Sequence, residues 1–202
     1  MGQLLLSLLK FIVFILLIPI LIASVIGFWK IVEHLSIIPR YFFLSGFGIY
    51  VVIHLFIVRF QNIYEFGQKL IVDLFYFSRS LSFLAGTILP FYSTLLLIAF
   101  YIAYIFFKTP SLEKYFMALI GFTWGLHILL TCEKLRQSDS SVIKPHYLLS
   151  FSGVVILNLT LLSLFFSLIF PAVAFGDFLT KVFQISRFIY TTILNQFPVV
   201  KG

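Results

Sequence analysis

The sequence predicts an all-α, polytopic integral membrane protein, and three observations carry that reading. Of its 202 residues 61% are hydrophobic and 10% charged, whereas a soluble domain carries about a quarter of its residues as Asp, Glu, Lys and Arg. The mean hydropathy is +1.12. The 14 Lys and Arg and 7 Asp and Glu fall almost entirely in short intervals between long apolar runs. Phe (27) and Tyr (10) make most of the 19% aromatic content, which gives bulky, lipid-compatible helix surfaces.

A helical span needs about 20 apolar residues. Five stretches meet or approach this: 11–29, 41–58, 83–107, 115–132 and 147–170. The first exceeds the usual core of a signal peptide and is followed by no small-x-small cleavage site, so it reads as a retained anchor. The fourth is interrupted by a single ionisable residue, His127. Pro19 and Pro90 sit inside apolar runs, where proline removes a backbone donor and kinks or breaks a helix. Pro90 is expected to split 83–107 and to leave 81–89 as a re-entrant or irregular piece. The whole of 1–202 reads as one membrane domain.

Two segments are amphipathic. In 61–80, Gln61, Glu65, Gln68, Lys69, Asp73, Tyr76 and Arg79 recur at helical spacing, with Ile63, Phe66, Leu70, Leu74 and Phe77 opposite. Glu65, Lys69 and Asp73 follow one another at four-residue steps, so Lys69 is placed to bridge two carboxylates. Near the C-terminus Gly176-Asp177 reads as a break and an N-cap. The helix after it, 178–196, carries Phe178, Val182, Ile185, Ile189 and Ile193 on one face and is expected to lie in the membrane interface.

Net charge is +7, but the cations are dispersed rather than run together, which speaks for a headgroup-facing rim and against nucleic acid. With five spans, Lys10, Arg59, Lys69, Arg79, Lys134, Arg136 and Lys144 fall on one side. An equal number, Lys30, Arg40, Lys108, Lys114, Lys181, Arg187 and Lys201, fall on the other. The positive-inside count is therefore tied. Cys132 is the one cysteine, so neither an intrachain disulfide nor a cysteine-cluster zinc site is possible.

Ionisable side chains inside spans are costly and so mark candidate sites; His54 and His127 qualify. For either imidazole a hydrogen bond to a neighbouring helix is the more usual explanation, since a lone His has many ways to be satisfied. With Cys132, Glu133 and Asp139 they form the stock of possible metal ligands, but no pair sits at ligand spacing on one helix turn, and His127 shares its face with Thr131 rather than Cys132. Gly121-Phe-Thr-Trp-Gly125 permits close approach of another helix, read as internal packing ahead of dimerisation. No nucleophile elbow, phosphate loop or Ser/Lys dyad is present.

The order of several motifs adds to this. Tyr64-Glu-Phe-Gly-Gln-Lys-Leu-Ile-Val72, Ala85-Gly-Thr-Ile-Leu-Pro-Phe-Tyr92, Gly121-Phe-Thr-Trp-Gly-Leu-His127 and Leu135-Arg-Gln-Ser-Asp139 follow in succession. This succession resembles the small bacterial members of the site-2 protease family, which are intramembrane zinc metallopeptidases. The similarity covers about residues 58–179, including Phe151-Ser152, Asn158 and Gly176-Asp177.

The resemblance implies that the first zinc-ligand position is Gln68, the general-base position Lys69 and the second ligand position Val72. Gln is a poor zinc ligand, Lys69 carries a repelling charge and Val72 has no donor atom. Without ligands or base, hydrolysis by the family route is expected to be lost, and no cofactor is expected. A polar cluster of Glu65, Lys69, Asp73, His127 and Asp139 is expected to replace the metal.

The expectation is thus a non-catalytic, protease-like scaffold in a bacterial inner membrane, bound to other integral membrane proteins and to the lipid bilayer. Two alternatives stand beside it. One is a membrane metallopeptidase or other hydrolase with a site rearranged around His54, His127, Glu133 and Asp139. The other is a small transporter or lipid-binding protein using the intramembrane histidines.

Overall fold

The computed structural model describes residues 2–56, 60–78, 85–107, 112–138 and 145–196. Among these residues the chain is helical with no strand. The helices are α1 (Gly2–His34), α2 (Ile37–Phe56), α3 (Gln61–Leu74), α4 (Phe91–Phe107), α5 (Leu112–Ser138), α6 (Pro145–Ile169) and α7 (Phe175–Gln196). A single helical turn at 85–88 precedes α4. The four segments Leu4–His34, Ile37–Phe56, Leu112–Gln137 and His146–Ile169 are long and apolar enough to cross a membrane. The protein is an all-α polytopic membrane protein.

The chain divides into two compact units, 1–34 with 139–202, and 35–138. Sequence patterning predicts one membrane domain, and the stretch 58–179 over which the resemblance was drawn overlaps both units.

In the first unit α1 is longer than its apolar run and continues through Pro19, where the chain gives up one backbone bond without ending the helix. Phe28 of α1 packs on Phe166 of α6 with ring centroids 5.8 Å apart. The fully buried Asn158 turns inward to its own helix, donating from Nδ2 to the Val154 carbonyl at 3.0 Å.

α7 begins at Phe175, so Asp177 is a first-turn residue and not the N-cap that the sequence predicts. There its carboxylate still favours the positive end of the helix dipole. α7 runs antiparallel along α1: a Cβ at Gly27 would lie 3.1 Å from Val182, and the Tyr190 hydroxyl donates to the Leu16 carbonyl. Its position is thus set by a seam on α1, a feature that an interfacial amphipathic helix alone does not give.

In the second unit α2 and α5 run the same way, with Phe42 against Tyr115 at one end and Tyr50 against Phe122 further along. They touch backbone to backbone. A Cβ at Gly46 would lie 1.9 Å from the Ala118 carbonyl oxygen, and one at Gly121 would lie 2.1 Å from that of Phe43. Gly125 sits under the rings of Phe47 and Tyr50, each 3.1 Å from a built Cβ. The Gly121/Gly125 pair therefore serves packing within the chain.

Because α2 and α5 are parallel, the chain must return between them, and α4 makes the return. It lies antiparallel to α5, with the Ser93 and Thr123 hydroxyls 3.0 Å apart and the Phe100 and Phe116 rings 5.0 Å apart. Its 17 residues reach about 25 Å, a little less than the hydrocarbon core. Pro90 sets that length. Having no N–H to continue a helix from 85–88, it accepts from Thr94 at 2.9 Å and starts α4 afresh. The expected split at Pro90 is what forms.

Candidate functional site

α3 lies where α2 ends and α4 begins, and it packs on one narrow seam. Tyr64, Gly67 and Ile71 are buried. Gly67 is needed there because a Cβ would come within 2.8 Å of the Tyr92 ring. The Tyr92 hydroxyl donates to the Ile63 carbonyl at 2.6 Å. Tyr64 joins Tyr50, Leu126 and Leu130 in a buried cluster.

The stripe Ile63, Phe66, Leu70, Leu74 and Phe77 is exposed, with Phe66 at 60% and Leu74 at 74%. The apolar stripe of this amphipathic helix thus faces away from the chain, and its inward seam is defined by small and hydrogen-bonding residues.

Gln68 is the hub of a polar connection from α3 to α5. Its Nε2 donates to the Tyr64 hydroxyl and to the Gly86 carbonyl, and its Oε1 accepts from Lys134 Nζ at 3.0 Å. Both amide N–H groups and the amide oxygen are therefore engaged. The Tyr64 hydroxyl in turn lies 2.7 Å from Thr131 Oγ1, with both residues buried. Burial pushes the Tyr64 phenol up to about 12, with the Thr131 hydrogen bond acting in the opposite direction.

On α5, His127, Thr131 and Lys134 recur at helical spacing and form the stripe that meets this seam. Two cavities adjoin the connection and share Tyr64 and Lys134. One, of about 170 Å³, also takes in Val72, Gly86, Thr131 and Leu135. The other, of about 190 Å³, takes in Glu65, Leu130 and Glu133.

The residues singled out from sequence are placed differently. Glu65, Lys69 and Asp73 are all exposed, and no ion pair joins them among the described residues; Glu65 accepts from Gln61 at 3.1 Å instead. The expected ion-pair ladder is thus corrected. The buried seam of α3 is Tyr64-Gly67-Ile71, which leaves the positions at 65, 69 and 73 facing outward.

Asp139 lies outside the described residues. His127 is buried at 4% exposure, its ring centroid 6.1 Å from that of Tyr64 and beside the backbone of Thr87 and Ile88. Its Nε2 has no hydrogen-bond partner among the described residues. His54 stacks on Tyr50, with Nδ1 3.4 Å from the Tyr50 hydroxyl.

Among the described residues no three His, Cys, Asp or Glu side chains converge on one point. The donor set does not fit zinc. The Gln68 oxygen faces an ammonium group, and Val72 lines the cavity with methyl groups.

Sequence reasoning missed Tyr64, Thr131 and Lys134. The available signal was the pairing of Tyr64 with Gln68 one turn apart, matched by Thr131 and Lys134 on α5.

Compared with known proteins, the chain matches no family model, no curated protein and no solved structure. What it is therefore rests on its own geometry: a helical membrane protein with a polar connection beneath an amphipathic surface helix.

Proposed function

We propose that the chain is a non-catalytic relative of the site-2 proteases, acting as a scaffold subunit bound to other integral membrane proteins in a bacterial inner membrane. The observation that carries this reading is the state of Gln68. The residue at the first-ligand position spends all of its hydrogen-bonding capacity on Tyr64, Gly86 and Lys134. A metal there would compete with a lysine ammonium for the same amide oxygen, and the general-base position, Lys69, is an exposed cation.

Support for a binding role comes from the outward faces. Leu4, Leu5, Leu8 and Leu9 of α1 are exposed, as are the α3 stripe and Phe183 and Phe188 of α7. These faces are surface on which membrane neighbours dock. A rearranged hydrolase site gains no support, because His54 is taken up by Tyr50 and no cluster of ligands forms around His127 among the described residues.

Solubilisation in mild detergent, followed by sizing and mass spectrometry of the particle, tests the proposal. A particle containing other membrane proteins in fixed ratio is the expected result. A lone, monodisperse monomer, or peptide-bond cleavage by the purified chain, contradicts it.

A further inference from the structure

The two cavities beside the α3–α5 connection have opposite electrostatic character. In the one of about 170 Å³, Lys134 supplies the single formal charge among the described residues, and none of their carboxylates lines it. In its neighbour of about 190 Å³, Glu65 and Glu133 are added.

These charges do not cancel one another. Among the described residues the ion pair formed is Lys30–Glu33 at 2.7 Å, and Lys134 instead donates to the neutral Gln68 oxygen at 3.0 Å. An ammonium carries three donors, so this bond leaves others to offer. Each carboxylate is held by a glutamine of its own helix, Glu65 by Gln61 at 3.1 Å and Glu133 by Gln137 at 3.4 Å. A cation and two anions thus line one cavity, each bonded to a neutral amide.

The surroundings set the scale of a partner. The cavities lie at the end of the bundle, under a helix whose Phe66 and Leu70 face outward, and Val72 and Leu135 give the cationic cavity an apolar wall. A group that satisfies this arrangement has a phosphate for Lys134, an ammonium a few atoms away for Glu65 and Glu133, and acyl chains that leave along the apolar stripe of α3.

We propose that the paired cavities form a phospholipid headgroup site, selective for a phosphodiester that carries a primary ammonium, as in phosphatidylethanolamine. A phosphatidylglycerol or free phosphate satisfies Lys134 alone. The proposal rests on the metal-free reading of the same seam.

The test is calorimetric titration of the delipidated full chain in detergent with dihexanoyl-phosphatidylethanolamine, dihexanoyl-phosphatidylglycerol and inorganic phosphate. The ethanolamine lipid should bind most tightly. Lys134→Met should weaken it about tenfold or more, and Glu133→Gln about threefold, in line with lost charge-assisted bonds. Lys134→Arg keeps the charge and guards against a folding defect, so it should stay close to the native chain, as should Lys69→Met, which lines neither cavity.

Equal affinity for phosphatidylglycerol or inorganic phosphate would reduce the feature to a plain oxyanion site and overturn the proposal. So would a folded Lys134→Met that binds as well as the native chain. Zinc analysis of the same sample separates the two failures: stoichiometric metal defeats the metal-free reading, whereas the lipid titration decides the headgroup site by itself.

Discussion

α5 carries two seams, and they are held together by opposite means. Against α2 it presents Gly121 and Gly125, and at Gly121 the two backbones touch. Against α3, one to three turns further along, it presents His127, Thr131 and Lys134, and the contact is a chain of hydrogen bonds through Tyr64 and Gln68. The first seam lies between two spans, where lipid offers no hydrophobic force and close van der Waals packing must hold the helices. The second runs from the buried Tyr64 and Thr131 out to the exposed Lys134, and its hydrogen bonds can be exchanged for others. A single helix thus carries one seam closed by backbone contact and one closed by side-chain hydrogen bonds.

The largest effect should come from the rigid seam. Gly121→Leu or Gly46→Leu drives atoms into a carbonyl that already lies within 1.9–2.1 Å of a Cβ position. A loss of about 3 kcal/mol or more is expected, because backbone and not a flexible side chain has to move. Unfolding of the detergent-solubilised chain by denaturing surfactant, followed by circular dichroism, measures it.

At the exchangeable seam Tyr64→Phe should cost less, about 1–3 kcal/mol, by leaving a Gln68 N–H and the Thr131 hydroxyl short of a partner. The change should appear as faster amide hydrogen exchange in α3 and not in α2. If both helices respond alike, the two seams are not independent.

The same tyrosine makes the exchangeable seam sensitive to alkali. Its folded pKa of about 12 exceeds the ordinary 10.0 because burial disfavours the phenolate. The stabilisation is therefore complete below pH 10 and is lost as pH rises through 12. Protection of α3 should fall in that window in the native chain, and Tyr64→Phe should remove the step. At the small end, Lys69→Met should change stability by no more than about 0.5 kcal/mol, since Lys69 is exposed and no ion pair joins it to Glu65 or Asp73 among the described residues. A substantially larger loss would restore the ion-pair ladder.

Four of the five expected spans and the break at Pro90 were readable from hydropathy and from one missing N–H, because both are properties of a single segment; the fifth, 83–107, is shortened by that break to a 17-residue helix. The direction in which α3 faces was not. Its polar stripe reads as the functional side by the usual rule, yet a surface helix in a membrane turns its apolar stripe to lipid and packs on what is left, Tyr64, Gly67 and Ile71.

The sequence marked Gln68 only as a side chain that binds zinc poorly. Its role as a hub depends on Gly86 and Lys134, which lie 18 and 66 positions away, and no local pattern carries those separations. Gly121 and Gly125 announced a close contact without naming α2, since a small-residue pair specifies an approach distance and not a partner.

The central claim is that Gln68 is a hydrogen-bond hub and holds no metal, and metal analysis of the purified native chain and of His127→Ala tests it most directly. The account predicts zinc well below one per chain in both, with no difference between them. One zinc per chain in the native protein, lost in His127→Ala, would contradict it.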